Sequence, residues 1–133
     1  MAYDHEIATM TVFMEASGEP DQGKAAVAHV LVNRLRAGRW GSTLAAVCLA
    51  PLQFSSWNSS DPNRKRAAEL SIDDPVFQAC EMAVAMATDG TSADPTQGAT
   101  FYFADTIAAP SWAASMVETA TIGHHRFFKP AEV

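Results

Sequence analysis

Glu15 is the side chain in this sequence that is best placed to act as a general acid. It falls near the end of a helix that we predict from Tyr3 to about Ala16. Ile7, Met10 and Met14 recur in this segment at helical spacing. At 100° per residue, Glu15 lies about 80° from Ile7, at the border of the apolar stripe. Partial loss of water at such a border favours the protonated carboxyl that a general acid requires, although a salt bridge at the helix end is the alternative interpretation.

Arg34 is predicted to be buried and therefore to need a partner. A second helix is expected from about Pro20, which suits a first helical turn, to Ala37, with Gly38 as its stop. Arg34 projects from the apolar side of this helix, and an unpaired buried guanidinium is costly. Glu15 and Glu19 are the nearest carboxylates in sequence, and we expect Glu19 to form the pair. Capping of the second helix and a catalytic role remain alternatives for Glu19.

The remaining predicted elements place helices early in the chain and short strands late. A short helix is expected to end near Val47, and a third long helix to run from Pro75 to about Thr88. Aromatic strands are predicted at 99–103 and 124–128. This order is typical of an α+β fold, and 133 residues suit one domain that spans residues 1–133.

Charge and composition argue against several classes of protein. The net charge of −6 opposes general nucleic-acid binding, which usually requires a basic face. No stretch approaches the roughly 18 apolar residues of a membrane span. The first residues carry Asp4, His5 and Glu6 where a signal peptide would have a basic region and an apolar run, so we expect no export signal.

Neither the cysteines nor the histidines have the spacing of a metal site. Cys48 and Cys80 lie in apolar, Ala-rich stretches without a CxxC motif, so buried free thiols are expected, while a disulfide between them stays open. The histidines form neither an HExxH motif nor zinc-finger spacing. They are His5, His29, His124 and His125. We therefore predict no metal and no cofactor.

Four blocks of sequence follow one another along nearly the whole chain. They are Met14–Pro20 with the later pair Asn33-Arg34, then Pro51–Trp57, Asp94–Tyr102 and Ile122–Phe128. In this order they resemble the SleB/CwlJ-type cell wall hydrolases, a family that includes spore cortex-lytic enzymes and related murein hydrolases. The resemblance spans roughly residues 7–128. The chain departs from the family pattern at Met14, Ser17 and Phe128, and none of these departures touches Glu15.

The resemblance implies a lysozyme-like α+β fold and cleavage of the β-1,4 bond between N-acetylmuramic acid and N-acetylglucosamine. Glu15 matches the glutamate on which the lytic transglycosylases of this family depend. One carboxylate suffices for them, because the 6-hydroxyl of the muramic acid attacks its own C1 and leaves a 1,6-anhydro end. The alternatives are a muramidase that uses water with help from Asp61 or Asp105, and a non-catalytic glycan-binding module.

Five side chains are predicted to bind the glycan. Four of them offer hydrogen bonds or ring faces suited to a polar cleft, namely Gln53, Ser55, Trp57 and Tyr102. His125 matches the family's histidine near the C-terminal strand, and a bond to nearby backbone is its alternative role. Asn33, with Glu19 and Arg34, is assigned to structural support.

The expected partner is the glycan strand of peptidoglycan, and the chain is expected to be a monomer. Action on the bacterial cell wall, on the periplasmic or extracellular side, follows from the resemblance. Without a visible signal peptide, we expect synthesis in the cytoplasm and release by lysis or delivery by a phage-like particle.

Overall fold

The protein is an α+β fold with helices first and strands last. The computed structural model describes residues 2–50 and 74–131. Its helices are α1 (Ala2–Ala16), α2 (Asp21–Ala37), α3 (Leu44–Leu49) and α4 (Pro75–Asp89). Its strands are β1 (Phe101–Ala104), β2 (Met116–Ile122) and β3 (His125–Pro130), with a 3-10 helix at Ser111–Ser115 before β2. This order confirms the predicted fold class.

Local capping residues determine where the helices begin and end. The hydroxyl of Thr43 caps α3, and the carboxylate of Asp74 accepts two backbone N–H groups at the start of α4. Gly38 and Gly90 end α2 and α4 in the left-handed conformation, with φ of 74° and 80°. Pro20 is the N-cap of α2 and lies just before its first turn, one position earlier than expected.

The three strands form one antiparallel sheet in the order β1-β3-β2. Tyr102 pairs with Phe127 and Ala104 pairs with His125, so these four side chains share one face of the sheet. Phe127 packs against Val30, which turns this face towards α2. The third strand, β2, was not predicted from the sequence.

Two clusters of buried side chains hold these elements together. The larger joins α1, α2, α3 and α4 and includes Val12, Leu31, Val47 and Val84. The smaller joins α2 to the sheet. Cys48 and Cys80 are free and buried, as expected, and burial raises the pKa of both thiols to about 11.

Candidate active site

Glu15 and Tyr102 meet where α1 ends beside the sheet. Glu15 is the penultimate residue of α1, as predicted, and its side chain is half-buried. The Tyr102 hydroxyl donates a hydrogen bond of 2.5 Å to Oε1 of Glu15. Burial, together with the negative charge of Glu15, raises the pKa of Tyr102 well above its usual range. The hydroxyl therefore keeps its proton and acts as the donor that orients the Glu15 carboxyl.

His125 lies beside Tyr102 on the same face of the sheet. Its ring packs edge-on against the Tyr102 ring, with centroids 5.0 Å apart. His125 is buried, and its Nδ1 forms no hydrogen bond in the described part of the chain but lies 3.6 Å from Oε1 of Glu19. Burial lowers the pKa of His125, although the charges of Glu19 and Glu15 oppose this. Burial thus favours the neutral imidazole.

Glu19 binds the turn between β2 and β3 and does not pair with Arg34. The backbone N–H of His124 donates to its Oε1 at 2.7 Å, and Nδ1 of His124 lies 3.1 Å from its Oε2. The predicted ion pair between Arg34 and Glu19 is therefore wrong. Burial alone would raise the pKa of Glu19, but the two hydrogen bonds from His124, together with the electrostatic effect of the His125 and His124 imidazoles, outweigh it and lower the pKa.

Arg34 is buried, as predicted, with 4% of its surface exposed. Its Nε donates to the carbonyl oxygen of Thr100 at 2.7 Å, and its guanidinium lies 4.7 Å from the centroid of the Trp40 ring. Burial lowers the pKa of Arg34, while electrostatic interaction with Tyr102 and, to a smaller extent, with Glu15 opposes this. Arg34 thus interacts electrostatically with both Tyr102 and Glu15.

Asn33 fixes the loop that leads into β1. Its side-chain amide donates to the carboxylate of Asp94 and to the carbonyl of Ala99, both at 2.9 Å. Asp94 also accepts hydrogen bonds from Thr96 and Gly98. This network fixes the start of β1 relative to α2, and Tyr102 is the second residue of that strand.

The other predicted glycan-binding residues lie outside the described residues. They are Gln53, Ser55 and Trp57, and Asp61 lies outside as well. Asp105, the other candidate for assisting a water molecule, is exposed just after β1. The roles of all five stay predictions.

Residues 2–50 and 74–131 contain neither a metal-binding cluster nor a membrane-spanning helix. No group of three or more His, Cys, Asp or Glu side chains is arranged to hold a metal ion. Among the same residues, no helix combines the length and the apolar character needed to cross a membrane.

The contact between His124 and Glu19 predicts a pH-dependent contribution to stability. The hydrogen bond to Glu19 raises the pKa of His124 above its ordinary value of 6.5. The folded state therefore binds this proton more tightly than the unfolded state, so the contribution is fully present below pH 6.5 and is lost as the pH rises through the folded-state pKa.

We expect wild type to gain stability over His124→Ala as the pH falls from about 9 to about 6. Urea unfolding of both proteins across this range measures the difference. A gap that does not change with pH would show that the imidazole does not titrate against Glu19.

Comparisons with known proteins find relatives of this chain in sequence and in structure. A family model described as cell wall hydrolase matches residues 18–128, a range that begins just after Glu15. Spore cortex-lytic enzymes of Halalkalibacterium halodurans and Bacillus subtilis are 32% and 29% identical, each over 93% of this chain. The chain spans only 34% and 37% of the length of these two relatives.

Two solved structures share the fold. The catalytic domain of the Bacillus cereus SleB protein matches with a TM-score of 0.78 and 27% identity, over 97% of this chain and 91% of that one. The catalytic domain of a germination-specific lytic transglycosylase, SleB from Bacillus anthracis, matches with a TM-score of 0.75 and 28% identity, over 95% and 93%. These matches confirm the predicted lysozyme-like α+β fold. With most of its length matched in sequence and in structure, the chain belongs to the cell wall hydrolase family of enzymes.

Proposed function

We propose that this protein cleaves the glycan strands of peptidoglycan at the β-1,4 bond between N-acetylmuramic acid and N-acetylglucosamine. It acts as a lytic transglycosylase with Glu15 as the acid and then the base. The observation that carries the proposal is the hydrogen bond from Tyr102 to Glu15 at the end of α1, in a chain of this family. The name of the Bacillus anthracis neighbour supports the same chemistry.

Glu15 transfers a proton twice in this reaction. It first protonates the glycosidic oxygen as the bond from C1 to that oxygen breaks, and it becomes a carboxylate. The 6-hydroxyl of the muramic acid then attacks C1, and Glu15 takes the hydroxyl proton as the 1,6-anhydro ring closes. No water is consumed. Tyr102 supports the first step because a donor hydroxyl stabilises the carboxylate that this step creates.

The contacts of Glu19 remove one candidate for a second catalytic carboxylate. Hydrolysis at a sugar centre usually requires a second carboxylate as nucleophile or base. Glu19 is the acidic residue nearest to Glu15 in sequence, but both of its oxygens already contact His124. An intramolecular hydroxyl removes the need for a second carboxylate and has a high effective concentration.

The products of digestion test this proposal. We expect the purified protein to release fragments from purified peptidoglycan that end in 1,6-anhydro-muramic acid. Each is lighter by one water than the hydrolysis product and lacks a reducing end, which mass spectrometry and a reducing-end assay detect. Reducing ends would mean that water is the nucleophile, as in a muramidase. Binding without release of fragments would indicate a glycan-binding module.

The same proposal includes the setting of the reaction. The glycan strand is the partner, and the protein acts on the bacterial cell wall. Its monomeric state and its release by lysis or delivery by a phage-like particle stay predictions.

A further inference from the structure

The turn that joins β2 to β3 holds the carboxylate of Glu19 in place. Only 9% of Glu19 is exposed. Its two oxygens contact the backbone N–H and the ring Nδ1 of His124, and its backbone carbonyl accepts a hydrogen bond from the Lys24 ammonium. Glu19 therefore ties the turn before β3 to the short junction between α1 and α2, close in sequence to Glu15.

Two glycines leave room for this carboxylate. A Cβ atom on Gly123 would lie 2.3 Å from Oε1 of Glu19, and one on Gly23 would lie 2.7 Å from the Glu19 Cβ. Gly123 also has a φ of 57°, a conformation that residues with a side chain rarely adopt. At both positions a side chain would collide with Glu19, so glycine is needed on two sides of it. A solvated glutamate at a helix end would impose no such requirement.

The turn leads directly into the residues that surround Glu15. His125 follows His124 and packs edge-on against Tyr102, and the Tyr102 hydroxyl donates to Glu15. A shift of the turn would move the His125 ring against Tyr102. The hydrogen bond that orients Glu15 would then change in length and direction.

We propose that Glu19 is a positioning residue for the glycan-cleaving reaction and that it sets the orientation of Glu15 through His125 and Tyr102. This inference rests on the function proposed above. Glu19 exchanges no proton with the glycan in this role. Its contribution is to keep the contacts between β3 and α1 in the arrangement that the reaction needs.

The positioning role depends on the negative charge of Glu19, so the test variant should remove that charge and keep the size of the side chain. A carboxylate accepts the backbone N–H and the ring N–H of His124 at the same time, and charged acceptors form the stronger hydrogen bonds. Glutamine has nearly the same size but only one acceptor oxygen. In Glu19→Gln, the negative charge shared by the two His124 N–H groups is lost and at most one of them keeps an oxygen acceptor, with little change in packing.

We expect Glu19→Gln to lower kcat on soluble glycan strands about 10- to 100-fold, because small misplacements of a catalytic group have effects of this size. KM should change little, since Glu19 does not touch the substrate. Tyr102→Phe interrupts the same path one step later. The double variant should therefore be no slower than the slower single variant. Losses that multiply would show that Glu19 does not act through Tyr102, and would overturn the proposal.

Glu118→Gln is the matched control. Glu118 is an exposed carboxylate on β2 of the same hairpin, and it forms a salt bridge of 2.9 Å with Arg126. This variant should cleave glycan at the wild-type rate. A loss as large as that of Glu19→Gln would indicate a general loosening of the hairpin and would overturn the positioning role.

Two further variants keep the outcomes distinct. If Glu15→Gln is active, the proposed function itself is wrong. If Glu15→Gln is inactive and Glu19→Gln is fully active, only the positioning role is overturned. If Glu19→Gln does not fold, His124→Ala replaces it in the cycle, because it loses the ring contact and keeps the backbone N–H. A wild-type rate in His124→Ala, or a loss that multiplies with that of Tyr102→Phe, then overturns the proposal.

Discussion

Replacing Glu15 with glutamine is expected to lower the rate of glycan cleavage by about 10²–10⁴-fold or more, the range associated with loss of general acid catalysis. The upper end applies because the same group serves as the acid and then as the base. Glutamine keeps the size of the side chain, and its carbonyl oxygen can still accept the Tyr102 hydroxyl. The variant should therefore fold and bind glycan normally while the chemistry stops.

Three measurements on this variant separate chemistry from folding and binding. Loss of turbidity of purified sacculi reports cleavage, co-sedimentation with the sacculi reports binding, and thermal unfolding reports stability. Glu6→Gln is the matched control, because Glu6 is an exposed glutamate on the same helix. Its activity should equal that of wild type. Full activity in Glu15→Gln would refute the assignment of Glu15 as the catalytic acid.

The sequence predicted those features of the fold that depend on neighbours in the chain. Gly38 and Gly90 end helices because of their own conformational freedom, so both helix ends were predicted close to where they lie. The position of Glu15 at the end of α1 followed from the same local reasoning. The strand β2 was missed because apolar and polar residues do not alternate cleanly in its sequence. It is an outer strand, with a register shift between Glu118 and Ala120.

The contacts of Glu19 show what sequence reasoning could not provide. Glu19 and His124 are separated by 105 residues, and they meet only because the hairpin of β2 and β3 folds back onto the junction between α1 and α2. Arg34 was paired with Glu19 on the basis of sequence distance, which does not give spatial distance. Gly123 and His124 form a two-residue turn between β2 and β3. A glycine followed by a polar residue between two strand-like segments was the signal that could have located the hairpin.

The environment of Arg34 changes the reason why its loss should destabilise the protein. Without an ion pair to Glu19, its stabilising contacts include the bond to the Thr100 carbonyl and the packing against Trp40. In Arg34→Leu, the buried carbonyl of Thr100 loses this donor, which typically costs about 1–3 kcal/mol. A guanidinium that is stacked on a tryptophan and shielded from water contributes roughly 1–2 kcal/mol more.

We therefore expect Arg34→Leu to lower the free energy of unfolding by about 2–4 kcal/mol, less than the simple sum because leucine fills part of the apolar space. Urea unfolding, with wild-type and variant slopes compared, measures this loss. Arg36→Leu is the matched control, since Arg36 is exposed on the same helix and its replacement should change stability by less than about 0.5 kcal/mol. An unchanged midpoint in Arg34→Leu would mean that the guanidinium is in water and that Trp40 and Thr100 do not depend on it.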